Sequence, residues 1–360
     1  MNHQNTVLQL VRLGIGHYAD RITGVIDWKD IQALAERQGL LAIVLDGIER
    51  LPEGQRPPQI VLLNWIGEVL QGYEARYNDY RLKIGELAKF YTEHGFKMML
   101  LKGYGLSMNY PKPSHRPCGD IDIWQFGQQK EADKELSLWL KDHGNPSRID
   151  KGLHHHTVFT WGGFMVENHY DFVNIHYGHN NAELEEIFKA LAKDDSNIVE
   201  IEGNTVYLPS ANLHALFILR HCMHDFASAE MNLRQVLDWA FFVEKHTKEI
   251  DWGWLSGVLD QFKMKDFFNC INAICVDDLG FDASIFQSVQ FSPIMKEKVL
   301  NDILDPQFSR EEPKRFVPRM LYKYRRWKGN AWKQELCYDD SRFASFFTGV
   351  WNHLLKPSSL

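Results

Sequence analysis

The chain has 360 residues, 44% of them hydrophobic and 24% charged, with a formal net charge of −7, values that suit two or three packed globular units and exclude a protein that coats nucleic acid non-specifically. Five cysteines (Cys118, Cys222, Cys270, Cys275 and Cys337) are scattered and odd in number without a C-x-x-C pair, which excludes a disulfide framework and a zinc ribbon and fits a reducing, cytoplasmic setting. The N-terminal run MNHQNTVLQLVRLGIG lacks the basic start and apolar core of a signal peptide, and no apolar stretch reaches bilayer length, so no membrane segment is expected.

In chain order, residues 27–50 read as helical, with Leu34, Leu41, Val44 and Ile48 on one side. A Pro/Gly-rich loop, LPEGQRPPQ at 51–59, precedes a long stripe in which Ile66, Val69, Tyr73, Tyr77, Tyr80, Ile84, Leu87 and Tyr91 recur every three or four residues. That spacing predicts one face of a core-packing helix, ended by Gly95. Strand signals follow at 97–101 and 120–124, then a helix over 129–143 stopped by Gly144-Asn145-Pro146. Segments 157–161 and 164–175 read as β-structure joined at Gly162-Gly163, followed by a helix over 182–192 and a short strand at 205–208. After Pro209 the pattern turns helical, with segments at 210–226, 230–247, 251–263 and 265–279. The spacing therefore predicts a helical start, an α/β middle and a helical end, with a basic, aromatic last fifty residues.

The chemistry concentrates between Leu101 and Ile123. Asp120 and Asp122 are two apart in an apolar strand, so their carboxylates leave one face while Ile121 and Ile123 enter the core. Carboxylates that close repel unless cations lie between them, and hard divalent ions prefer such oxygen ligands while keeping sites for phosphate. Two ions held this way activate an attacking oxygen and stabilise a leaving one. The strand before them ends in Lys102-Gly103, where a glycine lets backbone amides approach a polyphosphate and the lysine adds positive charge. Glu167, in the β-like run Phe164-Met165-Val166-Glu167-Asn168-His169, is the expected third carboxylate, with Asp171 the second choice. His169 is two residues from Glu167 and is expected behind the metal ligands. Arg116 is expected either to touch a phosphate or to offset the carboxylates' repulsion through a forked hydrogen bond.

The run LKGYGLSMNYPKPSHRPCGDIDIW resembles the signature of the uncharacterised nucleotidyltransferase family of the DNA-polymerase-β-like superfamily, in which a Leu-Lys-Gly element precedes Tyr-Pro, an Arg and an Asp-Ile-Asp. Val166-Glu167-Asn168-His169-Tyr170 is similar to a later family segment, and Leu213-His214, Leu233–Trp239 and Asp251-Trp252 to its helical half. The superfamily more often carries Gly-Gly or Gly-Ser where this chain has Lys102-Gly103. The resemblance covers roughly residues 95–255. It implies an α+β fold: a polymerase-β-like nucleotidyltransferase core, a small mixed sheet with helices, flanked by N- and C-terminal helical regions. It also implies transfer of a nucleoside monophosphate from an NTP to a hydroxyl-type acceptor (small molecule, RNA or protein), with Mg²⁺ or Mn²⁺ as cofactor. The expected division is a helical region at 1–95, the catalytic core at 96–208, a helical domain at 209–305 and a segment at 306–360 packing on the cleft.

Two rival functions carry their own residues. His221, His224 and Asp225, with His214 near the same helix face, are a short doublet pattern of metal-dependent phosphohydrolases, which would hold Mn²⁺, Fe or Co. A non-catalytic nucleotide-binding module would keep the fold alone. His154, His155 and His156 are consecutive, so in a strand they alternate faces and cannot share one metal. Arg234 and Asp238 are four apart on a helix and are expected to pair. Basic residues interleaved with Phe316, Tyr322, Tyr324 and Trp327 read as a helix face covering apolar surface rather than as a nucleic-acid arm.

Overall fold

The computed structural model describes residues 3–19, 22, 25–143, 156–173, 180–228, 230–287, 291–308 and 313–338. His154, His155, His176 and His179, and the last stretch from 339 on, lie outside the described residues. The chain is α+β and falls into two compact units, a helical one drawn from 1–75, 109–117 and 218–339 and a sheet unit from 76–108 and 118–217. Among the described residues, no helix is long and apolar enough to cross a membrane.

The sheet unit is built on six strands: β1 (Met99–Leu100), β2 (Ile121–Trp124), β3 (His156–Trp161), β4 (Phe164–His169), β5 (Ile198–Ile201) and β6 (Asn204–Tyr207). They lie in the order β3-β4-β2-β1-β6-β5. The sheet is mixed: β2 runs parallel to β4 and β1 parallel to β6, and the other pairs are antiparallel. Two tight turns shape it. Gly162 and Gly163 both hold positive φ (55° and 88°), which only glycine adopts without cost and which lets two residues close the β3–β4 hairpin. Glu202 and Gly203 do the same for β5–β6 (51° and 73°), and β5 is a strand that the sequence pattern did not predict.

One sheet face carries the core. Ile121, Ile123, Phe159, Phe164 and Val166 are buried there with Tyr80, Ile84, Leu87 and Tyr91 of the Arg76–Glu93 helix and Ala132, Leu136 and Leu140 of the Gln129–Asp142 helix. A polar network is sunk into the same face. Asp133 accepts from Thr157 Oγ1 (2.7 Å), Asn168 Nδ2 (2.8 Å) and Tyr170 Oη (2.6 Å), donors that satisfy its buried carboxylate.

The predicted helix over 27–50 is two helices, Trp28–Arg37, capped by Asp27 accepting from the Lys29 and Asp30 amides, and Leu41–Glu49. Gly39, at φ +65°, turns the chain between them. The long stripe is likewise interrupted: Gln59–Val69 and Arg76–Glu93 are α-helical, but Leu70–Ala75 is a π-helix, whose wider turn shifts the register between them. In the helical unit the Leu233–His246 helix opens with a capping box between Asn232 and Gln235 and is buried from Gln235 to Val243. The basic C-terminal segment forms the helices Phe316–Gly329 and Ala331–Cys337. Val317 (72%) and Tyr324 (51%) are largely exposed there. All five cysteines are buried free thiols.

Candidate active site

Strand alternation assembles the site. Burial of Ile121 and Ile123 in the core turns Asp122 to the opposite face. The parallel neighbour β4 is registered with Asp122 beside Glu167, so Glu167, and His169 two residues on, share that face. Antiparallel β3 sets His156 opposite His169. The Leu101 amide donates to the Asp122 carbonyl (3.1 Å), which holds the following residue, Lys102, beside the carboxylate.

Polar atoms converge on Asp122. Lys102 Nζ lies 2.8 Å and His169 Nε2 3.0 Å from Asp122 Oδ1. Glu167 Oε2 is 3.7 Å from His169 Nε2, and Glu167 Oε1 is 3.9 Å from His156 Nε2. His169 Nδ1 is buried without a hydrogen-bond partner among the described residues, so Nε2 is the ring's polar anchor. Aromatic side chains flank this face, with Trp124 and Phe172 at 4.6 Å between ring centroids and Phe172 and Phe217 at 5.8 Å.

Charge and burial pull in opposite directions at each group. Burial alone would raise the Asp122 pKa, but Lys102 and His169 outweigh it and hold the carboxyl well below the usual range. Burial and the neighbouring Asp122 charge raise Glu167, against Lys102 and His169. Lys102 pays for burial, yet Asp122, Asp120 and Glu167 together raise its pKa and keep it an ammonium.

The turn after β1 depends on glycine. Gly103 has φ 60° and ψ −111°, and a Cβ there would stand 2.5 Å from Tyr80 Oη. That hydroxyl donates to the Asp120 carbonyl at 2.6 Å, so the Lys102-Gly103 turn packs directly on the segment leading into β2.

The ligand atoms of Asp122, Glu167 and His169 all lie within 4.8 Å of one another, and this is the one such group among the described residues. Two carboxylates and an imidazole fit a divalent cation. This set contains His169, placed by sequence reasoning behind the ligands. The spacing of two residues from Glu167 on a strand was the signal available for it. Asp120 stands just before β2 begins, where strand alternation no longer fixes its side chain, and contributes to the field on Lys102 and Glu167. Asp171 pairs with Lys189 (2.5 Å). Arg116 is buried, and its fork is held by Asp238, with Nε at 2.7 Å and Nη2 at 2.9 Å. Tyr110 Oη donates to the same carboxylate (2.6 Å), and Arg234 pairs with it at 3.2 Å as its spacing implied. His221 and Asp225 are 3.5 Å apart along one helix and join no three-residue ligand group among the described residues.

No curated protein and no solved structure matches the chain. One family does, described as uncharacterised nucleotidyltransferase, over residues 24–277. The match extends to both sides of the region whose motifs carried the resemblance and takes in the Asp122–Glu167–His169 group, and the chain belongs to that uncharacterised nucleotidyltransferase family.

Proposed function

We propose that the protein transfers a nucleoside monophosphate from an NTP to a hydroxyl-type acceptor (small molecule, RNA or protein) on a polymerase-β-like core, in a reducing, cytoplasmic setting. The observation that carries this reading is the pairing of Asp122 and Glu167 at one register of adjacent parallel strands, beside the Lys102-Gly103 turn, in a chain of this family. Asp122 and Glu167 would hold Mg²⁺ or Mn²⁺, with Asp120 adding its carboxylate from the preceding loop. When bound, the ion neutralises triphosphate charge and activates the acceptor oxygen.

The chain's own groups have separate tasks in this reading. Asp122 and Glu167 would hold the ion, and their fixed strand positions would set where a phosphate bound to it lies. Lys102, now the counter-ion of Asp122, is the ammonium free to turn to triphosphate oxygens once another cation neutralises that carboxylate. Gly103 lets the backbone come close to the phosphates. The acceptor hydroxyl loses its proton to solvent as its oxygen bonds the α-phosphorus and pyrophosphate leaves. The fork of Arg116 is held by Asp238, so its role in this reading is to fix that carboxylate.

The test uses NTPs labelled at the α- or γ-phosphate, with Mn²⁺ or Mg²⁺ and cell extract as the source of acceptor. Label from the α-position should appear on an acceptor, and Asp122→Asn or Glu167→Gln should lower its transfer by about 10²–10³-fold. Transfer of the γ-label, or release of phosphate alone, would overturn the assignment in favour of a phosphotransferase or phosphohydrolase.

A further inference from the structure

We infer that His169 is a direct ligand of the divalent ion, and that the site for this reason prefers Mn²⁺ to Mg²⁺. The inference rests on the nucleotidyltransferase reading for the ion's purpose, but its argument is local. Nε2 of His169 stands between the two carboxylates, 3.0 Å from Asp122 Oδ1 and 3.7 Å from Glu167 Oε2. Adjacent ligands that each bind one small ion at about 2.1 Å lie about 3 Å apart. Asp122 and His169 therefore already have the spacing of neighbours in one coordination shell, and the Glu167 carboxylate lies within 4.8 Å of both.

The position of the ring supports the same conclusion. His169 is 7% exposed, and its Nδ1 has no hydrogen-bond partner among the described residues, so the ring's polar contacts run through Nε2 while His156 and Phe217 pack against it. Its strand register places it on the carboxylate face, and no side-chain movement out of a helix or loop is needed to reach the ion. His156, ring centroid 5.5 Å from that of His169, makes the wall on this side imidazole-lined and not carboxylate-lined.

Ligand chemistry then sets the preference. Mg²⁺ favours an all-oxygen shell and keeps much of its water, whereas Mn²⁺ accepts imidazole readily in a shell otherwise made of oxygens. A site of two carboxylates and one imidazole gains with Mn²⁺ what it cannot gain with Mg²⁺.

Pulsed electron paramagnetic resonance on the full chain with Mn²⁺ alone reads the ligand directly. The wild type should show the nitrogen modulation of a bound imidazole, and Mg²⁺ should displace Mn²⁺ only at about tenfold or greater excess. His169→Gln should abolish the modulation and weaken Mn²⁺ binding by about 10–100-fold, with a smaller change for Mg²⁺. His169→Asp, which restores an oxygen ligand, should bind both ions with the preference reduced, and this guards against loss of fold. His156→Gln should keep the modulation. Mn²⁺ bound without nitrogen modulation, modulation that survives in His169→Gln, or an unchanged Mn²⁺/Mg²⁺ ratio would overturn the inference while leaving a carboxylate-held ion and the proposed function intact. Failure to bind Mn²⁺ at all would overturn both.

Discussion

Asp238 shows how one residue can fix a neighbourhood. Burial alone would raise its pKa, but Arg116 and Arg234 outweigh burial, aided by hydrogen bonds from Arg116 and Tyr110, and hold the carboxyl below its usual value. A carboxyl depressed by folding contributes stability that is complete above the unfolded value, about 3.9, and is lost as pH falls through the lower folded value. Asp238→Asn leaves the buried Arg116 guanidinium, and the half-buried one of Arg234, without their anion, so it should cost about 3–5 kcal/mol near neutrality. Urea unfolding at a series of pH values checks this. The wild type should lose stability below about pH 4 more steeply than the variant, and parallel curves would show that the carboxylate is not the group responsible. Arg116 was legible from the sequence as a residue near the motif. Its partner was not, because Asp238 lies more than a hundred positions downstream and only packing brings the two together.

Among the helices, backbone contact sets the closest packing. Helix His3–Gly14 meets Leu41–Glu49 through two glycines, and a Cβ on Gly47 would stand 2.0 Å from the Leu10 carbonyl oxygen, one on Gly14 2.1 Å from that of Ile43. Gly47→Ala should therefore separate the helices and cost about 3 kcal/mol or more. Gly67, mid-helix with no atom within 4 Å of a built Cβ, supplies the contrast. There alanine should stabilise by about 0.5–1 kcal/mol through helix propensity. Thermal unfolding of the two variants reads both signs, and equal shifts would refute the packing argument. At this scale the sequence was readable wherever a local period governed. The β3–β4 hairpin, the Gln129–Asp142 helix and the helix ended by Gly95 follow from spacing and glycine alone. It was less readable where a single residue altered the period, as with Gly39 or the π-turn at Leu70–Ala75. Strand β5 was missed because its exposed, Glu-bearing alternation is weak and its turn uses Glu202 at positive φ, a residue that seldom takes that conformation. Asp120 and Asp122 were read as one strand pair, and the late start of β2 is what separates their settings.

For the molecule as a whole, a ligand bound only by the folded chain adds about 2.7 kcal/mol when present at a hundred times its dissociation constant. With Mn²⁺, hydrogen exchange should slow in Ile121–Trp124 and Phe164–His169, the strands that carry the carboxylates and His169, and Asp122→Asn should remove the effect. Protection gained only elsewhere would place the ion at another site. The buried cysteines give the same molecule a clock. Cys118 belongs to the sheet unit, and Cys222, Cys270, Cys275 and Cys337 belong to the helical one. Burial raises the thiols of those last four, Cys270 to about 12, and a thiol reagent consumes only thiolate. An added aromatic disulfide should therefore stay nearly colourless over the native protein and develop colour only as fast as the chain opens. The amplitude then names the part that opened: one equivalent for the sheet, four for the helices. Two stability measurements come from a single trace, with no label introduced.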